Sequence, residues 1–282
     1  MRIALIGCMV MNREISRLVA DSRHIVRVWW LRQGLHNTPD VLRSELQRAI
    51  DNIEAENKKE GERNREHLRY EAIVLGYGLC SNGVIGLRSR SLPIVVPRCD
   101  DCISLFLGSA DKYRRLFRQM PGTFWYNPGW IEQADMPCKE RDQRQLEEYI
   151  EQYGEENAEF LMECSNEWMV KYEHCGYITC PWGEDPQFEQ FARQAAKDYN
   201  WEFNKVEGEK GYLDALVNGP WDDQRFLTCP PNSRIEPDYS NRKFRSVPCE
   251  IEDFSAEELQ KNAEQRVQDA EGKTQLKNIG LW

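Results

Sequence analysis

Four short apolar runs near the start of the chain limit the folds open to it: RIALIGC (2–8), HIVRVWWL (24–31), EAIVLGYG (71–78) and LPIVVP (92–97). The first and third are nearly continuous in apolar residues where a strand with one wet face would alternate, and the second carries Arg27 within it. Runs of this kind suit strands buried on both faces of a parallel sheet. The segments between them have helical character. One covers 11–21; another opens at Thr38-Pro39-Asp40, with Thr38 as a good N-cap and Pro39 as the first helical residue. Residues 54–69 are nearly all charged and are expected to carry that helix into solvent and a loop. A further helix is expected to run unbroken from Cys102 to Met120.

The rhythm continues in the second half. An aromatic run, GTFWYNPGW (122–130), precedes a charged helix over about 139–172. GYITCPWG (176–183) reads as a strand and loop, 186–199 as a helix, WEFNKVEG (201–208) as a strand, YLDALVNG as a short helix and RFLTCPP (225–231) as a last strand and turn. Strands alternating with helices imply crossover connections. The expectation is therefore an α/β fold of doubly wound parallel sheets, as two Rossmann-like lobes with a cleft between them. The lobes are expected over 1–121 and 122–240, followed by a polar helical tail over 241–282.

Charge excludes some functions. The 282 residues carry a net charge of −10, which disfavours non-specific binding to nucleic acid or to anionic membranes. No stretch approaches the roughly 20 apolar residues of a membrane span. Only seven residues precede Cys8, too few for an apolar export region, so MRIALIGC reads as a first strand and the expected location is cytoplasmic. In that compartment ten cysteines point to metal binding, catalysis or burial rather than to disulfides.

The informative pattern is where these residues fall. Ligands of open parallel sheets sit beyond the carboxyl ends of the strands. Here the first strand ends at Cys8, the second near His36, the third at Cys80, and the fourth at Cys99, Asp100, Asp101 and Cys102. Thiolates and imidazole are ligands of zinc and of iron–sulfur clusters, so Cys8, His36, Cys80, Cys99, Asp100 and Cys102 form the candidate metal set. Cys102 is placed to begin a helix, which would lower its thiol pKa. Gly78 and Gly83 allow close approach of backbone to a bound group. Asn82 is placed to hydrogen-bond that group, and Arg98 to pair with an anionic ligand or with Asp100. Trp125 and Trp130 either wall a flat ligand or belong to the core.

Cys180 and Cys229 also end strands, and each precedes a proline. Cys138, Cys164, Cys175 and Cys249 read as small packing residues. No phosphate-binding G-x-x-x-x-G-K-[ST] or G-x-G-x-x-G occurs.

GYGLCSNGVIGL, VPRCDDCISLFLGS, PGTFWYNPGWIE and YGEENAEFLME resemble a family of bacterial and archaeal proteins filed as domain of unknown function 1638. The resemblance spans about residues 3–235. It implies an anaerobic setting beside corrinoid-dependent methyltransferases. The family's pattern matches Cys8, His36, Cys80, Asp101 and Cys102, with histidine usual at the place of Asp100 and alanine at that of Cys99.

Residues and resemblance together lead to a metal-binding protein in or beside corrinoid-linked methyl metabolism. An iron–sulfur cluster is the first choice of cofactor and zinc the second. The expected partner is a small molecule or a corrinoid or methyltransferase protein. Two alternatives stay open: a metal-free accessory module for a methyltransferase, and a metal-free enzyme with Cys80 or Cys102 as nucleophile and His36 as base. The sequence leaves the substrate and the oligomeric state open.

Overall fold

The computed structural model describes residues 1–250. Among the described residues the chain divides into two compact units, one made of 1–105 with 211–250, the other of 106–210.

The first unit opens with β1 (Arg2–Cys8), α1 (Asn12–Ala20), β2 (Ile25–Leu31), α2 (Pro39–Glu62), β3 (Ala72–Gly76), the two-residue β4 (Arg88–Ser89), β5 (Ile94–Pro97) and α3 (Cys102–Phe106). β1 lies between β2 and β3, and β3 pairs with β5, all parallel. Alternation along each strand sends residues to both faces, and both are dry. Ala4, Ile6, Ile73, Leu75, Ile94 and Val96 share one core with Leu42, Leu46, Ile50 and Ile53 of α2. Ile3, Leu5, Val74 and Val95, on the other face, are fully buried too. This is why the runs of β1, β3 and β5 lack the polar alternation of a half-exposed strand; β2, at the edge of the sheet, has no fully buried residue, and its run carries Arg27 and an exposed Ile25.

In the second unit follow α4 (Ala110–Gln119), β6 (Thr123–Tyr126), α5 (Pro128–Gln133), α6 (Lys139–Tyr153), α7 (Glu155–Asn166), β7 (His174–Ile178), α8 (Pro186–Asp198) and β8 (Glu202–Val206). β7 is the middle strand of a three-stranded parallel sheet. Two helices expected to be continuous are interrupted, each at a glycine. Gly108 has φ 76°, and Ser109 restarts the helix as α4 by accepting from the Lys112 N–H at 3.2 Å. Gly154 has φ 80° and turns α6 back into α7. Both need the left-handed conformation that glycine adopts without steric cost.

The chain then returns to the first unit as α9 (Gly211–Asn218), β9 (Phe226–Cys229), β10 (Ser233–Asp238) and β11 (Lys243–Pro248). α9 packs beside α1. β9 adds to β5 in the antiparallel sense and closes the five-stranded order β2-β1-β3-β5-β9. β10 pairs with β11 and with β4 in a small antiparallel sheet. Residues 243–248, expected within a polar helical tail, are thus a strand; the rest of that expectation, 251–282, lies outside the described residues.

One side chain ties this returning segment to the parallel sheet. Arg98 follows β5 and is 7% exposed. Its Nε donates to the carbonyls of Asp223 and Phe226 at 2.9 and 3.1 Å, and its Nη1 to those of Arg242 and Phe244 at 2.7 and 2.5 Å. Nη2 donates to Asp223 Oδ1 at 2.9 Å. A guanidinium has no acceptor and stays charged, so a buried one needs such partners. Arg98→Ala would orphan four carbonyls, and we expect it to cost about 3–5 kcal/mol. Urea unfolding checks this; a loss below about 1 kcal/mol, the worth of a surface pair, would refute the clamp.

Candidate thiol centre at the carboxyl edge of the first sheet

Three strands deliver the thiols. Register pairs Gly7 with Gly76, so Cys8 at the end of β1 lies level with the start of Tyr77-Gly78-Leu79-Cys80 after β3. That segment lies against the chain leaving β5: the Leu79 N–H donates to the Cys99 carbonyl at 2.8 Å and the Cys80 N–H to the Asp100 carbonyl at 2.9 Å. The approach is close enough to require glycine. A Cβ on Gly78 would meet Asp101 N at 2.8 Å and the Cys99 carbonyl oxygen at 2.9 Å. Gly83 serves likewise, since a Cβ there would stand 2.4 Å from a Leu42 methyl. Both glycines expected to admit a ligand admit the protein's own chain.

Between them the backbone is strained. Cys80, Ser81 and Asn82 have φ of 44°, 56° and 67°, three successive left-handed residues without a glycine. Each costs energy that the surroundings must offset, and such runs gather at functional sites. The fold pins this turn: Gly83 N–H donates to the Cys80 carbonyl at 3.0 Å and Arg43 Nη2 to the Asn82 carbonyl at 3.2 Å.

The side chains form one electrostatic group. Burial pushes the Cys80 thiol up to about 12, and the Asp101 carboxylate and the Cys8 thiol push the same way. Burial also raises Cys102, with Cys80, Asp101, Cys8 and Cys99 adding to it, and raises Cys99, which lies beside Cys80, Asp101 and Asp100. The expectation that a helix start would lower Cys102 is reversed. α3 has only five residues, and burial among acids and other thiols opposes a further negative charge. Cys8 is raised by burial as well, less so because the Val10 and Met9 N–H groups and the Tyr77 hydroxyl favour its thiolate.

Tyr77 is the member that sequence reasoning missed. Its hydroxyl is buried with no oxygen or nitrogen partner, and it faces Cys8. A buried hydroxyl in that state is rare and asks for an explanation. The signal available in the sequence was its place inside GYG at a strand end. Lys243 of β11 was missed too; its Nζ donates to Asp100 Oδ1 at 2.6 Å.

The other expected residues fall elsewhere. His36 sits on the exposed turn Leu35–Asn37 beyond β2. Arg98, expected to face an anion, is engaged by Asp223 and four carbonyls. Asn82 is exposed. Trp125 is packed in the second unit, its ring within 2.6 Å of where a Cβ on Gly176 would be and edge-on to Tyr113 at 6.2 Å. Trp130 stands edge-on to Phe106 at 5.1 Å. Cys180 follows β7 of the second unit, and its N–H donates to Glu184 at 2.7 Å. Cys229 pairs with Ile94, at the amino end of β5, because β9 runs antiparallel; it lies at the edge of the sheet opposite Cys8 and Cys80. Cys175 is fully buried as expected, but Cys164 is exposed.

The donor set of Cys8, Cys80, Cys102 and Asp101 suits a soft metal, since thiolates bind zinc and iron. Among the described residues, however, no three His, Cys, Asp or Glu side chains are already arranged to hold an ion. Gly78→Ala should push the two loops apart, destabilise the unit by about 1–3 kcal/mol as an overpacked site does, and speed the labelling of Cys80 and Cys102. Iodoacetamide at neutral pH, read by peptide mass mapping, tests this. In the unaltered protein exposed Cys164 should label first, and equal rates at Cys80 and Cys164 would contradict a Cys80 thiol held protonated at neutral pH.

No curated protein and no solved structure matches the chain. One family model does, over residues 30–217, two thirds of the length; it begins after β1 and so omits Cys8. By that match the chain belongs to the family described as "protein of unknown function (DUF1638)".

Proposed function

We propose that the carboxyl edge of the first sheet is a thiolate site for a soft metal, an iron–sulfur cluster first and zinc second. Cys8, Cys80 and Cys102 would hold it, with Asp101 beside them. The observation that carries this reading is the convergence of three thiols from three strand ends, close enough for each to alter the ionisation of Cys102. Convergence by itself is costly. Half-buried thiols near a carboxylate repel one another once ionised, and a bound cation would compensate that repulsion. Such an ion would act as a Lewis acid and, as a cluster, would also pass electrons.

The chain's own residues would do the rest. Tyr77, whose hydroxyl faces Cys8, would donate to the Cys8 sulfur and favour its thiolate. The left-handed Cys80–Asn82 turn would fix the direction of the Cys80 side chain. Asp100, held by Lys243, would be occupied as an ion-pair partner rather than as a ligand. His36, exposed on its turn, is omitted from the set. The nucleophile alternative gains less support, since a Cys80 thiol raised to about 12 is protonated at neutral pH. The setting implied by the resemblance, beside corrinoid-dependent methyl transfer, is compatible with either metal and is part of the proposal.

Anaerobic purification with metal and sulfide analysis tests the reading. We expect close to one cluster or one zinc per chain, lost in Cys80→Ser with Cys102→Ser while the far-ultraviolet circular dichroism stays unchanged. A protein that carries neither metal, even after reconstitution with iron and sulfide or with zinc, would sink it.

A further inference from the structure

The segment that includes YGEENAEFLME plays no part in the thiol site. It lies in the second unit as an antiparallel pair of helices, α6 and α7. A surface helix normally buries one apolar stripe. Here α6 buries none of its 15 residues, and α7 buries only Ala158. The base of the pair is anchored to α8: Lys139 pairs with Asp198 at 3.2 Å, and Tyr199 Oη, just past α8, donates to Asp142 at 2.7 Å. Toward the Gly154 turn, Ile150, Tyr153 and Phe160 are 38%, 54% and 64% exposed.

Charge surrounds these side chains with one sign. Residues 146–163 hold seven glutamates and no lysine or arginine. All seven are exposed, and among the described residues none is ion-paired. The three basic residues at the base are already taken, Lys139 by Asp198, Arg141 by Asp142 and Arg144 by Asp135. Nearer the base a separate cavity of about 800 Å3 is lined by Leu146 and Met162 together with charged residues that include Lys139, Arg144, Glu159 and Glu163; the three exposed side chains lie outside it.

We infer that this hairpin is a docking surface for a basic amphipathic helix of a partner protein. Its apolar face would cover Ile150, Tyr153 and Phe160, and its lysines or arginines would meet the glutamates. The mode is an amphipathic helix whose apolar face is laid over exposed apolar anchors. Charge complementarity selects this occupant over two others. A second copy would set seven glutamates against seven. The chain's own residues 251–282 carry seven acidic and four basic residues, which is also the wrong sign. Exposed charge of one sign speeds encounter with its complement, and the apolar anchors set the lifetime of the complex.

The test titrates the full chain with a fluorescent 20-residue leucine–lysine peptide of amphipathic helical spacing, read by anisotropy. A scrambled peptide of the same composition measures attraction by charge alone. We expect the ordered peptide to bind at least tenfold tighter than the scrambled one. Ile150→Ser with Phe160→Ser should abolish that preference, as loss of hot-spot anchors does. Glu151→Gln, Glu155→Gln and Glu159→Gln together should weaken binding and flatten its salt dependence. Both variants change exposed residues, so thermal unfolding should be unaltered. Equal binding of the two peptides, or an ordered-peptide affinity unchanged by the apolar variant, would overturn the inference. So would a dimer in sedimentation that the apolar variant dissolves, which would make a second copy the occupant.

Discussion

The buried guanidinium of Arg98 is the constraint on which the first unit depends. A charge that cannot be neutralised sits at the end of β5, and removing it from water is tolerable only if every neighbour is an acceptor. Those acceptors come from the returning part of the chain: carbonyls of Asp223, Phe226, Arg242 and Phe244, and the Asp223 carboxylate. Asp223 is held in turn by Arg242. One side chain thus links β5 to the segment around β9 and β11, across more than 120 positions of sequence. The next residue is Cys99, so the same clamp fixes where the thiol-bearing loop departs.

The loop is then held twice more. Lys243 neutralises Asp100, and the Leu79 and Cys80 N–H groups extend the β3–β5 pairing by two hydrogen bonds. What results is a set of thiols placed by backbone constraints rather than by their own affinity for one another. Burial and the nearby Asp101 keep them protonated in the absence of a cation. Strain at Cys80–Asn82 is stored in the same place. A fold that gathers a left-handed turn, a buried phenol facing a sulfur and several thiols in one place departs from local rules where function usually resides.

The second unit follows a different economy of burial. Phe124, Trp201, Tyr172 and Trp168 pack around β6 with ring centroids 5.3–6.1 Å apart, and Gly176 stays bare because the Trp125 ring occupies the space of its side chain. That core leaves little apolar demand for α6 and α7 to meet. Ile150, Tyr153 and Phe160 stay outside, under a field of glutamates that discourages self-association.

The sequence by itself determined the α/β alternation, because a strand buried on both faces must be apolar throughout and the crossover to its parallel neighbour needs a helix. It also determined that Cys8, Cys80 and Cys102 fall at strand ends. It could not place what depends on direction or on distant partners. Cys229 ends a strand as Cys80 does, yet β9 runs antiparallel and carries it to the opposite edge; nothing local encodes that reversal. Arg98 read as a ligand residue because its acceptors lie more than 120 residues away. β11 read as polar tail because a small antiparallel sheet with one wet face needs few apolar positions. The glycines were visible, but only the tertiary structure shows that Gly78 and Gly83 accommodate neighbouring parts of the chain, since close approach is a property of two segments and the sequence lists them one at a time.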